Sequence, residues 1–217
     1  MEEIDFKELA KQLSCPEGEF GIEIGQRMHE NNREMVSNSI ESLQLKPSEK
    51  ILELGFGSAL HLNSILEKAI DLQYFGIEIS ALMLNEAQKI HQNFMFQEKA
   101  NFQLYDGENI PFEDHFFDKI MTVNTLYFWK KPEKILDELF RVLKPNGHCS
   151  ICFGDKNFME NLPFTKHGFN LYHNDWLIEK AKLSGFEKIE IKNCKDSMKN
   201  MEGENFERPF YILVLSK

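Results

Sequence analysis

After residue 50 the chain alternates short, apolar β-rich runs with stretches of helical periodicity, and this alternation limits the fold more than any other feature. KILELG (50–55) and FGIEIS (75–80) are near-continuous apolar runs, as in parallel strands buried on both faces. Between them Leu62, Leu66 and Ala69 make a helical stripe. From Ser80, a residue suited to N-capping, Met83, Ala87, Ile90 and Phe94 recur at helical spacing, and ANFQLYDG (100–107) then reads as a third strand. FDKIMTVN (117–124) is a fourth. Pro132 suits the first turn of a helix that buries Ile135, Leu136, Leu139, Phe140 and Leu143 and ends at the KPNG turn, 144–147. GHCSICFG supplies a fifth strand. A helix over 175–184, capped by Asp175, precedes two last strands, GFEKIEIKN (185–193) and RPFYILVLSK (208–217). No helix-length segment separates these two, so they pair as an antiparallel hairpin with the charged loop KDSMKNMEGENFE at its tip. The expected class is α/β, a parallel sheet finished by an antiparallel hairpin.

With 217 residues and 42% hydrophobic content, one core with decorations is the expected organisation. A formal net charge of -10 works against holding a phosphate backbone, so no nucleic acid partner is expected. MEEIDFKELAKQL has neither the basic region nor the apolar run of a signal peptide. No apolar stretch reaches the roughly 20 residues that span a bilayer, so no membrane insertion is expected. Four cysteines make no disulfide framework in a chain of this size, and a cytoplasmic location is expected. Cys149 and Cys152 form a C-x-x-C, but within a strand residues three apart face opposite sides, which disfavours a redox or metal role. The seven histidines show no H-E-x-x-H or Cys/His zinc spacing and no G-x-S-x-G is present, so neither a metal nor serine hydrolysis is expected.

The turn after the first strand, in ILELGFGSAL (51–60), would let a ligand approach the backbone, though its glycines alone do not choose the ligand. A dinucleotide fingerprint needs a small residue at position 60, where this chain has Leu60. The alternative spacing, an acid followed by x-G-x-G-x-G, fits Glu53, Gly55 and Gly57, with Ala59 at the last position. In this motif, closely over about residues 50–153 and in the arrangement of the last two strands, the chain resembles class I S-adenosylmethionine-dependent methyltransferases. It is most similar to the small-molecule enzymes of the ubiquinone and menaquinone biosynthesis type. The resemblance implies a Rossmann-like methyltransferase fold, a seven-stranded mixed sheet of order 3-2-1-4-5-7-6 with strand 7 antiparallel. It also implies S-adenosyl-L-methionine as cofactor and S-adenosyl-L-homocysteine as product.

By the same resemblance Gly55, Phe56, Gly57 and Ser58 form the cofactor turn, and Glu78, followed by Ile79, is the acid that accepts from both ribose hydroxyls. Asp106, in LYDGENIPFEDHFFD, stands where the family's acid or its neighbouring backbone reads the adenine amino group, with Gly107 and Glu108 lining that pocket. Asp118 in the same stretch corresponds to a structural position. Asn124 at the fourth strand tip would face the methionine portion, and Glu53 its ammonium group. Asn124 is followed by Thr125, Leu126 and Tyr127, not by the Pro-Pro-aromatic run of enzymes that methylate base amines or glutamine amides, so those acceptors are disfavoured.

Residues 1–46 are expected to form an N-terminal helical cap on an S-adenosylmethionine-binding domain, 47–217, with an insertion at about 156–174. The acceptor should enter over the carboxyl ends of the strands, beneath two aromatic-rich segments. The first, 14–32, offers Phe20 and Met28; the second, 158–175, offers Phe158, Phe164, Phe169 and Tyr172. Tyr127, Phe128 and Trp129 could present an aromatic face to the sulfonium. Tyr127 and His29, with His173 beside them, are candidate catalytic bases. The expected reaction is in-line methyl transfer to a small, partly apolar molecule; the alternative is a non-catalytic S-adenosylmethionine-binding sensor or partner subunit. Acceptor atom and oligomeric state stay open.

Overall fold

The computed structural model describes residues 5–199 and 205–217. Three helices come first, α1 (Phe6–Ser14), α2 (Gly18–Asn31) and α3 (Arg33–Leu43). Asp5 caps α1, accepting the amides of Lys7 and Glu8. The alternating part follows as β1 (Lys50–Leu54), α4 (Leu62–Leu66), β2 (Gln73–Glu78), α5 (Ala81–Ile90), α6 (Gln92–Phe96), β3 (Ala100–Leu104) and β4 (Phe117–Val123). It continues as α7 (Pro132–Val142), β5 (Leu143–Gly154), α8 (Lys156–Met159), α9 (Asn174–Leu183), β6 (Lys188–Lys199) and β7 (Asn205–Ser216).

One seven-stranded sheet runs in the order β3-β2-β1-β4-β5-β7-β6. β1 to β5 are parallel, and β7 is antiparallel to both β5 and β6. Fold class, strand order and the antiparallel seventh strand are those expected. Apolar side chains on the two sheet faces make separate cores, one around Phe117, Ile120, Leu139 and Leu213 and another around Ile51, Leu62, Tyr74 and Phe102. Cys149 packs in the first core and Cys152 with Met35, Phe210 and Ile212 on the other side, as their spacing requires. Both are free thiols, and burial pushes the Cys152 thiol up to about 12.

The N-terminal helices approach the sheet ends through small residues. A Cβ on Gly21 would lie 2.8 Å from Leu82 Cδ2, and one on Gly25 would lie 2.8 Å from Met83 Sδ, so the glycine face of α2 fits directly against α5. Ser80 holds the preceding loop by donating to the Pro16 carbonyl at 2.6 Å, and its hydroxyl accepts the Met83 amide as the expected N-cap.

Several local expectations change. α4 ends at Leu66, leaving Ala69 beyond it, and the helical run from Ser80 breaks at His91 into α5 and α6, with Ile90 turned to solvent. The His91 ring takes the buried place, between Phe94 and Phe102. Asp175 is not the cap of α9; that position belongs to His173, and Asp175 lies in the first turn. The KPNG turn is absorbed into β5 as an irregularity, with Asn146 at φ +64° and pairing jumping from Phe117↔Leu143 to Lys119↔His148. Phe140 is half-buried, edge-on to Phe186. The charged 195–207 segment is mostly strand: rungs continue through Asp196↔Arg208 to Lys199↔Asn205. Opposite charges across the ladder, Lys195 with Glu207 and Asp196 with Arg208, explain why so polar a stretch pairs. The expected loop tip, 200–204, and the start of the acidic N-terminal stretch, 1–4, lie outside the described residues.

Candidate active site

The carboxyl ends of β1, β2 and β4 open into a cavity roofed by α2, α3 and the α1–α2 loop. About 140 Å³ of it is available to water centres, roughly ten times what a single trapped water needs, so it is a ligand-sized space.

Its floor is the turn after β1. Gly55 has φ +74°, and a Cβ there would lie 2.4 Å from Thr125 Cγ2, so only glycine fits. Gly57, at φ +58°, faces open space and donates its amide to Glu78 Oε2 at 3.0 Å. Ala59 stands at the motif's third position with φ +52°, a left-handed conformation that costs a non-glycine residue about 1–2 kcal/mol. Two hydrogen bonds to its carbonyl hold it there, from the Leu62 amide and from His91 Nε2, each 2.9 Å. His91→Ala loses one of these bonds and the ring between Phe94 and Phe102, and should cost about 2 kcal/mol. In thermal denaturation this appears as a fall of roughly 4–8 °C for a chain of this size; an unchanged midpoint would show that His91 does not support the turn.

Glu78 closes β2 with 6% of its surface exposed. Its Oε1 accepts the amides of Ile79 and Ser80, at 2.7 and 3.0 Å, and its Oε2 that of Gly57. Burial raises its pKa and the three amides oppose that shift. Three of about four acceptor sites on the carboxylate are thus taken by protein.

Glu53, buried under the turn, is less free than expected. It accepts from Tyr74 Oη at 2.6 Å and lies 2.8 Å from His61 Nε2. Burial disfavours a charged His61, yet the Glu53 carboxylate outweighs this and raises its pKa. His29 stacks on His61, with ring centroids 6.4 Å apart. Burial, then the His61 and Arg33 charges, lower the pKa of His29.

Of the residues expected from the sequence, the cavity wall includes Glu53, Gly55, Phe56, Gly57, Ser58, Glu78, Ile79, Gly107 and Asn124, with Met28, His29 and Trp129. Others fall elsewhere. Asp106 turns its exposed carboxylate onto its own loop, accepting the amides of Glu108 and Asn109 and the Asn109 side chain. These bonds, led by the Asn109 amide, hold its pKa down to about 2. Glu108 pairs with Lys131 and Lys134. Tyr127 is 2% exposed; its hydroxyl donates to Asn124 Oδ1 at 3.2 Å and accepts the Gly154 amide at 2.5 Å, and burial raises its pKa. The Tyr127 hydroxyl is engaged by protein on both sides and its residue is not part of the cavity wall, which leaves no proton-transfer geometry there. Phe20 is 43% exposed on α2. Phe164 packs on Phe169, which itself covers Tyr127 and Phe128, and Tyr172 stacks on Trp176 at 4.3 Å, so the 156–174 segment contributes aromatic support instead of cavity wall.

The sequence offers no motif for His61, Asn32, Thr125 or Tyr105, all of which line the cavity. Thr125 supports the Gly55 approach, bonded to the Thr122 hydroxyl and accepting Trp129 Nε1 at 3.1 Å. Among the lining residues no lysine or arginine occurs, and the carboxylates of Glu53 and Glu78 are the acidic groups. This charge pattern fits S-adenosylmethionine, which carries a sulfonium and an ammonium against one carboxylate. It suits a pyrophosphate poorly, and the five-residue α4 after the turn has little dipole to offer one.

Comparison with known proteins agrees. Residues 52–151 match the family described as "Methyltransferase domain". The chain is 27% identical over 178 residues to the uncharacterized methyltransferase YdaC of Bacillus subtilis, covering 80% of this chain and 92% of that protein. It is 26% identical over 157 residues to a demethylmenaquinone methyltransferase of Symbiobacterium thermophilum, but spans only 60% of that protein's length. A solved structure of Haemonchus contortus phospholethanolamine N-methyltransferase 2 with S-adenosylhomocysteine has the same fold, with a TM-score of 0.72, 17% identity, and coverage of 100% of this chain and 61% of that one. Strand order, the acid-and-glycine turn and these likenesses together support a class I S-adenosylmethionine-dependent methyltransferase.

Proposed function

We propose that the cavity seats S-adenosylmethionine with its ribose on Glu78, its adenine between Ile79 and the Tyr105–Gly107 backbone, and its methionine end between Gly55 and Asn124. A ribose diol needs two acceptor sites on Glu78, so binding should displace one of the three amides, for which that of Gly57, a glycine free to change its backbone angles, is the natural choice. The adenine contact passes to backbone near Gly107, because the Asp106 carboxylate is committed to its own loop. Glu53, which lines the cavity, offers its negative charge to the ammonium end while bonded to the His61 ring and the Tyr74 hydroxyl.

The acceptor is an uncharged, partly apolar small molecule resting on Met28, His29 and Trp129. One observation carries this reading: among the described residues no lysine or arginine lines the cavity, so an anionic acceptor finds no counter-charge there, while the wall on that side is thioether, imidazole and indole. When bound, the cofactor supplies a methyl already activated by its sulfonium. The protein's part is then alignment, exclusion of water and removal of one proton. His29, its pKa lowered, is unprotonated at neutral pH and takes the proton that the acceptor loses as its bond to the methyl carbon forms. None of the described helices is long and apolar enough to cross a membrane.

Incubation with methyl-labelled S-adenosylmethionine and a small-molecule extract tests the acceptor class. Label is expected in neutral, solvent-extractable products, and label confined to anionic metabolites, RNA or protein would overturn it.

A further inference from the structure

Arg208, the first residue of the expected last strand and now inside β7, reaches the cavity through side chains. Its guanidinium forks onto Asp196 on the paired rung, with Nε 3.0 Å from Oδ1 and Nη2 2.5 Å from Oδ2. The pair is nearly dry, with 11% and 2% of the two side chains exposed. The same Nη2 donates to the Asn31 carbonyl at 2.6 Å, at the C-terminal end of α2, where a helix has unpaired carbonyls and favours a cation. Nη1 lies 3.4 Å from Asn32 Oδ1.

Asn32 joins α2 to α3 and makes no side-chain cap for either. Its Oδ1 instead receives Asn124 Nδ2 at 2.9 Å, and both asparagines line the cavity. The order of donors here is forced. Arginine has no acceptor, so the oxygen of Asn32 must face it. That oxygen then requires the NH₂ of Asn124, which turns Asn124 Oδ1 toward the Tyr127 hydroxyl. Asn124 itself sits at φ +58°, a conformation that needs support from its surroundings.

We propose that Arg208 is a positioning residue for the cofactor: it latches the end of α2 to the β6–β7 hairpin and, through Asn32, sets which way the Asn124 amide faces. This rests on the assignment of Asn124 to the methionine end of the cofactor site. No contact between Arg208 and the cofactor is involved.

Calorimetric titration with S-adenosylhomocysteine tests it as a double-mutant cycle. Removing Arg208 alone would strand the Asp196 charge, so the neutral pair Asp196→Asn with Arg208→Gln is used, and each variant's melting curve checks that it folds. The pair and Asn124→Ala should each weaken binding by up to about tenfold, the worth of one hydrogen bond. Combined, they should bind no more than about twofold weaker than Asn124→Ala, because both act on the same amide. Arg208→Lys, which keeps the charge but not the fork, should fall between the pair and the wild type. Multiplicative losses, or wild-type affinity in a folded neutral pair, would overturn the positioning role while leaving the cofactor site intact. A wild-type protein that does not bind S-adenosylhomocysteine would instead overturn the site assignment beneath it.

Discussion

Alanine in place of Glu78 is expected to weaken S-adenosylhomocysteine binding by about 100-fold or more. A carboxylate meeting a vicinal diol makes two charge-assisted hydrogen bonds, each worth about 1.5–3 kcal/mol, so losing both removes at least about 3 kcal/mol, and 1.4 kcal/mol is tenfold. The variant also leaves the amides of Gly57, Ile79 and Ser80 without their common acceptor. The turn and the start of α5 should therefore loosen together. Glu78→Gln separates the two effects. Its one oxygen still accepts the Ile79 and Ser80 amides, while its NH₂ cannot accept that of Gly57 and the charge is lost, so its melting temperature should fall less than that of the alanine variant while binding still falls at least tenfold. If both variants bind like the wild type, the ribose is not held at Glu78.

Gly55→Ala should be the most damaging small change to the fold itself. The added methyl enters a left-handed residue at φ +74° and arrives 2.4 Å from Thr125 Cγ2. Thr125 cannot simply rotate away, since its hydroxyl is shared between Thr122 and the Trp129 indole. The backbone conformation costs about 1–2 kcal/mol and overpacking about 1–3 more, giving a loss near 3 kcal/mol, or roughly 6–12 °C in melting temperature. Gly57→Ala is the internal comparison. It has the same hand of backbone, φ +58°, but open space around its Cβ, so it should lose only about 1 kcal/mol. Equal losses at the two positions would show that the contact with Thr125 does not restrict Gly55.

The strands and their order were largely legible because each is a local apolar run and the resemblance supplied the crossovers. What escaped depends on partners distant in sequence. His91 looks like a polar residue between two apolar helical positions, and only Ala59, 32 residues earlier, gives its ring a buried hydrogen bond. The 195–207 stretch reads as a loop by charge, until Asp196 and Arg208 face each other across a rung and neutralise one another. In the site, the turn glycines and Glu78 announce themselves by spacing. His61 and Asn32 carry no such signal, since each matters through a second residue, Glu53 or Asn124, that the fold brings close. Asp106 illustrates the reverse case: the short acid in a turn satisfies nearby amides before it can serve a ligand. For the aromatic residues after β5, aromatic content says nothing of direction. Phe169 spends its faces on Tyr127, Phe128 and Phe164.

The wild-type arm of the same titration bears on the central claim most directly. S-adenosylhomocysteine should bind one molecule per chain with micromolar or tighter affinity, S-adenosylmethionine should compete with it, and NAD should not. Absence of any binding heat at millimolar S-adenosylhomocysteine, or displacement by NAD, would contradict the assignment of the Glu53–Glu78 cavity to this cofactor.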